Sequence, residues 1–235
     1  MTDVDTSVDA DVADAWARIE TDLGRVLPAS LSRLAPPADG RAIDAVEAAL
    51  GRPLPADFRA SLRVHNGTAW GLPSPVPLDQ LYDTDGIVEA TLSWRGTDEP
   101  DPVFDDPRVL AHLIDEGEIR VHGPVLPTMS AAGRVLVGTM NGDVHWFLDL
   151  DPPPGGTPGQ VVRADPESAT WDVLAPSWRQ LLLRYAEDLR RYGTPGGSPL
   201  LIDETGPACE WGQAAGAEHS RPAWLRDVQP LDPHA

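Results

Sequence analysis

The stretch His145–Arg163, which reads HWFLDLDPPPGGTPGQVVR, decides the fold of this chain. Residues 145–150 are typical of a strand, and a β-like run resumes at residues 160–163. The intervening PPPGG cannot continue a strand, because proline lacks the donor N–H and glycine favours turns. We therefore predict a hairpin with a long, stiff loop. Asp149 and Asp151 are two residues apart, so strand geometry predicts that both carboxylates lie on one face.

Further strands flank this hairpin. Gly133–Thr139 is typical of a strand, and Asn141–Gly142 favours a tight turn into the strand at 144–150. Residues 121–129 are extended in pattern, but their prolines confine them to the edge of a sheet. A short strand is indicated at 171–174.

Helical periodicity dominates the first half of the chain and returns near its end. The first predicted helix starts at about Val12, with Asp11 or Asp14 as its cap and Trp16 in the core. Pro28 ends or bends it. The order of helices, then an antiparallel sheet, then a closing helix favours α+β over a doubly wound α/β fold. The predicted helices cover about 12–27, 41–50, 55–65, 83–94, 107–115 and 178–192.

Composition sets the domain limits. The 235 residues include 25 prolines and 21 glycines, which is high for a compact chain. We expect a flexible N-terminus at 1–9, one domain at 10–192, and a Pro/Gly-rich tail at 193–235 that is partly disordered or docked.

The charge of the chain is strongly negative. Its formal net charge is -19, and all of its basic residues are arginines. Such a surface is repelled by nucleic-acid phosphates and by anionic membranes, so we expect neither as a partner. Its natural partners are a basic protein, a basic peptide or a cation, although charge also serves solubility alone. The sequence indicates no oligomeric state.

The cysteine count and the pattern of apolar segments bear on the compartment of the protein. Cys209 is the single cysteine, so no disulfide forms within the chain. The N-terminus has neither a basic region nor an apolar core, and no apolar run is long enough to span a bilayer. We therefore expect a cytoplasmic protein.

Catalytic and metal-binding patterns are weak. Asp149 and Asp151, with Glu47 or Asp143, are a conceivable carboxylate cluster, but calcium sites need six or more oxygens and a suitable loop. The histidines are dispersed, without zinc-ligand spacing. The sequence has no nucleophile motif, and no phosphate-binding glycine loop precedes a helix. We predict no catalytic residue, metal or cofactor, and expect the two aspartates to accept backbone N–H groups of the adjacent turn.

The most acidic segment, residues 97–118, is the predicted binding surface. Its simplest interpretation is a solvated face, and its functional one is a docking surface that steers a basic partner. Trp70 and Trp94 are candidate aromatic anchors. The candidate steering residues are Asp98, Glu99, Asp101, Asp105, Asp106, Glu116 and Glu118.

An ordered set of residues resembles the SUKH superfamily, which includes the yeast cell-wall assembly regulators of the Smi/Knr type. The resemblance covers roughly residues 10–192 and implies a helix-plus-sheet binding domain with no known enzymatic reaction. In bacteria such domains commonly act as immunity proteins of toxin systems, and in fungi they are linked to cell-wall synthesis and signalling. The matching residues include Trp16, Glu47, Pro55, Phe58, Asn66, Gly67, Asp149, Asp151, Pro152, Gly159, Gln160 and Trp178.

Three functions remain open from the sequence. The first is an immunity protein that occludes a basic, nuclease-type toxin domain with its acidic surface. The second is a scaffold or regulatory module in cell-envelope or signalling processes. The third is a hydrolase that uses Asp149 or Asp151.

Overall fold

The computed structural model describes residues 3–71, 73–95, 106–128 and 131–192, together with two short strands at 200–202 and 209–211. Capping side chains fix several helix starts. The carboxylate of Asp39 accepts the Ala42 N–H at 2.8 Å, and that of Asp83 accepts the Gly86 N–H at 2.8 Å. The helices are α1 (Asp3–Val26), a 3-10 helix (Pro28–Arg33), α2 (Gly40–Leu50), α3 (Ala56–Leu62), α4 (Thr84–Arg95), α5 (Pro107–Asp115) and α6 (Trp178–Tyr192).

A six-stranded sheet forms the centre of the fold, in the order β1-β3-β4-β5-β6-β2. All neighbours are antiparallel except β2 and β6. β2 is a short edge strand, because the next donor in its parallel ladder falls at Pro124, which has no N–H. The strands are β1 (Gln80–Leu81), β2 (Arg120–His122), β3 (Arg134–Met140), β4 (Val144–Asp149), β5 (Gln160–Asp165) and β6 (Thr170–Ala175).

Apolar side chains cover both faces of the sheet, which explains the near-continuous apolar runs of its strands. On β4, Trp146 and Leu148 join a cluster with α1, α3 and α6. Phe147 points to the other face, where α4 and α5 cover it with Trp94 and Leu110 among others. The predicted α+β architecture is confirmed: helices lie on a mostly antiparallel sheet, and α6 closes the domain.

The long hairpin has the predicted form. β4 pairs with β5 from His145↔Ala164 to Asp149↔Gln160, and residues 150–159 form the loop. The loop folds tightly on itself: a Cβ on Gly156 would lie 2.5 Å from Pro152 Cβ, so only glycine fits there.

Two local predictions are wrong. Helix α1 begins at Asp3 and not near Val12, so neither Asp11 nor Asp14 caps it; early aspartates favour the positive end of a helix, which extends the start. Asp11 instead pairs with Arg179 of α6 at 2.6 Å. Asp149 and Asp151 do not share a face, because β4 ends at Asp149 and Asp151 lies in the loop.

The chain beyond α6 is described only in part. β7 (Leu200–Ile202) and β8 (Cys209–Trp211) pair as antiparallel strands, and the rest of the predicted tail at 193–235 lies outside the described residues. No helix in the described part of the chain is long and apolar enough to cross a bilayer.

Candidate docking surface

The two ends of the sheet differ in their connections. One end, here called the turn end, carries the β3–β4 turn at 141–143, the β5–β6 turn at 166–169 and the residues that lead into β2. The opposite end, here called the loop end, carries the loop at 150–159. Five strand spacings of about 4.8 Å make the turn end about 24 Å wide.

Exposed carboxylates line the turn end. Asp143 follows the β3–β4 turn, Glu167 lies in the β5–β6 turn, and Glu116 and Glu118 precede β2. All four are exposed, and none has an ion-pair partner within the described residues. Two arginines lie at this end: Arg163 is shared between Asp165 at 3.0 Å and Asp172 at 3.3 Å, and Arg120 donates to the Ser168 carbonyl at 3.0 Å. The turn end therefore presents a surplus of negative charge.

The predicted acidic belt lies partly at this end. Glu116 and Glu118 sit there, whereas the carboxylate of Asp106 accepts the Arg108 N–H at 2.9 Å and caps α5. Asp98, Glu99, Asp101 and Asp105 lie outside the described residues. Sequence reasoning considered Asp143 only for a carboxylate cluster and missed Glu167, although the turn signals Asn141–Gly142 and Asp165–Pro166 place both between adjacent antiparallel strands.

The two candidate anchors differ in environment. Trp70 is 59% exposed and lies in the loop before β1, at the opposite edge of the sheet from Glu116 and Glu118. Trp94, on α4, packs edge-on against His145 with 4.5 Å between ring centroids, and it joins the second-face cluster. The structure therefore leaves Trp70 outward-facing and makes Trp94 part of the packing.

A buried ionic group stabilises the loop end. Arg134 is 3% exposed, its guanidinium carbon lies 4.4 Å above the Phe147 ring, and it donates to the Leu126 carbonyl. Burial lowers the pKa of Arg134 to about 10, although the nearby Asp149 opposes this. Burial likewise raises the pKa of Asp149, and Arg134 opposes that change. The pair contributes to the structure rather than facing solvent.

Other arginines at the loop end are also partnered. Arg52 pairs with Asp151 at 2.6 Å, and this contact lowers the pKa of Asp151. Arg95 donates to the Leu50 carbonyl at 3.1 Å and to the Arg134 carbonyl at 3.2 Å. The arginines of the loop end are therefore ion-paired or bonded to carbonyls. At the turn end, by contrast, four exposed carboxylates have no ion-pair partner among the described residues.

Gln160 organises the loop itself. Its Oε1 accepts the Thr157 N–H at 3.2 Å, and its Nε2 donates to the Pro124 carbonyl at 2.8 Å. A cleft of about 250 Å³ opens beside it, with Arg184 as its charged lining residue. Neither Asp149 nor Asp151 lines that cleft.

Two histidines lie beside carboxylates: His65, whose Nε2 is 3.0 Å from Glu20 Oε1, and His122 on β2. His122 Nδ1 lies 2.5 Å from a carboxylate oxygen of the buried Asp172, whose other oxygen faces Arg163. Among the described residues, no group of three or more His, Cys, Asp or Glu side chains is arranged to hold a metal ion.

Residues of the sequence motif meet across the fold. Phe58 and Trp178 pack edge to face at 5.0 Å, and Gly159 lies against Pro55, whose Cγ would be 3.0 Å from an added Cβ. Glu47 accepts the Leu54 N–H at 2.7 Å and pairs with Arg59. These contacts join α2 and α3 to the β4–β5 loop and to α6.

The remaining motif residues fix the entry to α4 and the contact of α1 with α3. The amide oxygen of Asn66 accepts the Thr84 N–H at 2.9 Å. Gly67 has φ 79°, and an added Cβ would lie 2.7 Å from the backbone of residues 81–83. Trp16 donates to the Ser61 hydroxyl at 2.9 Å.

The fold and the charge arrangement define a class: an α+β module with helices on both faces of a mostly antiparallel sheet and an acidic end. A family model described as SMI1 / KNR4 family (SUKH-1) matches residues 37–184, so the chain belongs to that family. The resemblance inferred from the sequence is thereby confirmed. Members of this family are generally non-catalytic.

The chain is also similar to a protein named KNR4/SMI1 homolog from Kluyveromyces lactis. The two are 25% identical over 252 residues, which cover 81% of this chain and 45% of that protein. The chain thus spans less than half the length of this curated relative.

Proposed function

We propose that this chain is a non-enzymatic binding module whose turn end recognises a basic protein, and that this partner is a nuclease-type toxin domain which it neutralises as an immunity protein. The observation that carries the proposal is the segregation of charge. Exposed carboxylates without ion-pair partners in the described residues gather at the turn end, whereas the arginines of the loop end are paired or bonded to carbonyls.

The mechanism is electrostatic and steric occlusion. A nuclease presents cationic groups where it binds the phosphate backbone. A row of carboxylates about 24 Å wide suits such a site. This width is comparable to that of a standard interface, which buries about 800 Å² per partner. Long-range attraction accelerates the encounter, and the bound module then excludes nucleic acid from the site.

The test uses a toxin domain encoded beside the gene of this chain. Coexpression should rescue cells from the toxin, and association should weaken as salt rises. The double variant Asp143→Asn/Glu167→Gln and the double variant Glu116→Gln/Glu118→Gln should each slow association and flatten its salt dependence. Asp85→Asn/Glu89→Gln on α4 removes the same formal charge elsewhere and should leave both unchanged.

Two results would count against this function. If the neighbouring toxin stays lethal on coexpression, the immunity role is wrong. If the chain binds an envelope or signalling protein with an affinity that neither turn-end variant alters, the scaffold or regulatory alternative is favoured instead.

A further inference from the structure

Trp70 is the most exposed large apolar side chain among the described residues, at 59%. Leu92 and Leu126 follow at 45% each. An exposed tryptophan is an effective anchor when it is held in place before binding, because little conformational entropy is then lost on association. The surroundings of Trp70 decide whether it meets that condition.

Backbone hydrogen bonds hold the loop on both sides of Trp70. The Ala69 N–H donates to the Arg33 carbonyl at 2.8 Å, and the Arg33 guanidinium donates to the Trp70 carbonyl at 2.5 Å. The Gly71 N–H donates to the Asp79 carbonyl at 3.3 Å. Trp70 is therefore exposed on a backbone that is fixed before any partner arrives.

The same bonds connect Trp70 to the acidic turn end. The Asp79 N–H donates to the Thr139 carbonyl at 3.0 Å, and the Asp79 carboxylate accepts the Asn141 N–H at 2.6 Å. Asp143 is exposed two residues further along the same turn. An indole face and two carboxylates thus lie on adjoining, mutually bonded segments.

We propose that Trp70, Asp79 and Asp143 form a subsite that takes one arginine side chain of the partner. This inference rests on the proposed function and adds the chemistry of one contact. A guanidinium is planar, so it stacks on an indole face while its N–H groups reach carboxylates; an ammonium stacks less well. A purely apolar pocket on the partner would leave the two carboxylates without a role.

The test uses two probes, a nona-arginine and a nona-lysine peptide, and fluorescence anisotropy at fixed ionic strength. Trp70→Leu keeps an apolar side chain but removes the π face. It should weaken arginine-peptide binding by about three- to tenfold and lysine-peptide binding less. Leu126→Ala changes another exposed apolar side chain, which lies before β3 away from the subsite, and serves as the control. Circular dichroism confirms that each variant folds.

The outcomes separate this inference from the proposed function. If Trp70→Leu binds the arginine peptide as tightly as the parent chain, the contact is apolar and the inference is wrong. If both peptides lose affinity equally in that variant, arginine selectivity is wrong. If Glu116→Gln/Glu118→Gln weakens binding while Trp70→Leu and Asp143→Asn do not, the proposed function stands and this subsite does not. If the parent chain binds neither peptide, this inference is wrong, whereas rescue from the toxin still decides the proposed function.

Discussion

Asp149 and Asp151 show how two identical side chains acquire different environments. Asp149 ends β4 and is 3% exposed beside the buried Arg134, whereas the side chain of Asp151 is 61% exposed beside Arg52. The alternation of the sequence suggests one shared face for them. The difference arises because the strand stops between them, and no pattern in the sequence marks that the residue across from Asp149 is a buried arginine.

The first prediction compares these two aspartates. Asp149→Ala removes a buried carboxylate that accepts from Gln160 and lies near Arg134, so those buried donors lose a partner and we expect a loss of about 2 kcal/mol in the free energy of unfolding. Asp151→Ala should lose much less, because solvent screens its pair with Arg52. Urea denaturation measures both. Neither variant should alter partner affinity, since both lie at the loop end; equal losses of stability would contradict the prediction.

Elements with their own local signals were predictable from sequence. The cap Asp39 and the left-handed Gly51 delimit α2, and the Pro107–Asp115 helix has the predicted bounds. β1 was missed because it is two residues long within a Pro/Gly-rich segment and forms only by pairing with β3. The parallel pairing of β2 with β6 was likewise missed, since partner choice at a sheet edge depends on the whole fold.

The candidate surface was likewise predictable only in its local features. Acidic residues and an exposed tryptophan are visible in the sequence, and strand alternation decides which turns share an end. That Trp94 is packed depends on where α4 crosses the sheet, and that Trp70 is exposed depends on how the loop before β1 folds; the sequence indicates neither. Local chemistry was therefore predictable, and its assembly into one surface was not.

The contact between α4 and β4 gives a prediction at the scale of elements. Burial against Trp94 lowers the pKa of His145 from its ordinary value of 6.5. The unfolded chain therefore takes up this proton more readily than the folded one. The resulting stability is present above about pH 6.5 and is lost as the pH falls below it.

His145→Phe tests this contact, because it keeps an aromatic ring against Trp94 and does not titrate. The urea midpoint of the parent chain should fall more steeply between about pH 7 and pH 5.5 than that of the variant. The other histidines are present in both chains, so their titration cancels in the comparison. Identical slopes of the urea midpoint against pH would show that protonation of His145 does not weaken the contact between α4 and β4.

The charge of the whole molecule is unevenly spread. With a net charge of -19, like charges repel one another in the folded state. We expect this repulsion to be strongest between the neighbouring exposed carboxylates of the turn end. The same carboxylates attract a basic partner. Folding stability and partner binding should therefore respond to salt in opposite directions.

The last prediction measures that opposition. Between about 0.01 M and 0.3 M NaCl the Debye length falls from about 30 Å to less than about 10 Å, so repulsion within the turn end is screened. The melting temperature of the parent chain should rise over this range while the affinity for a basic partner falls. Glu116→Gln/Glu118→Gln should melt higher at low salt and gain less from added salt, whereas Asp85→Asn/Glu89→Gln should retain the parent's dependence. If both double variants gain equally from salt, the repulsion comes from the net charge and not from the turn end.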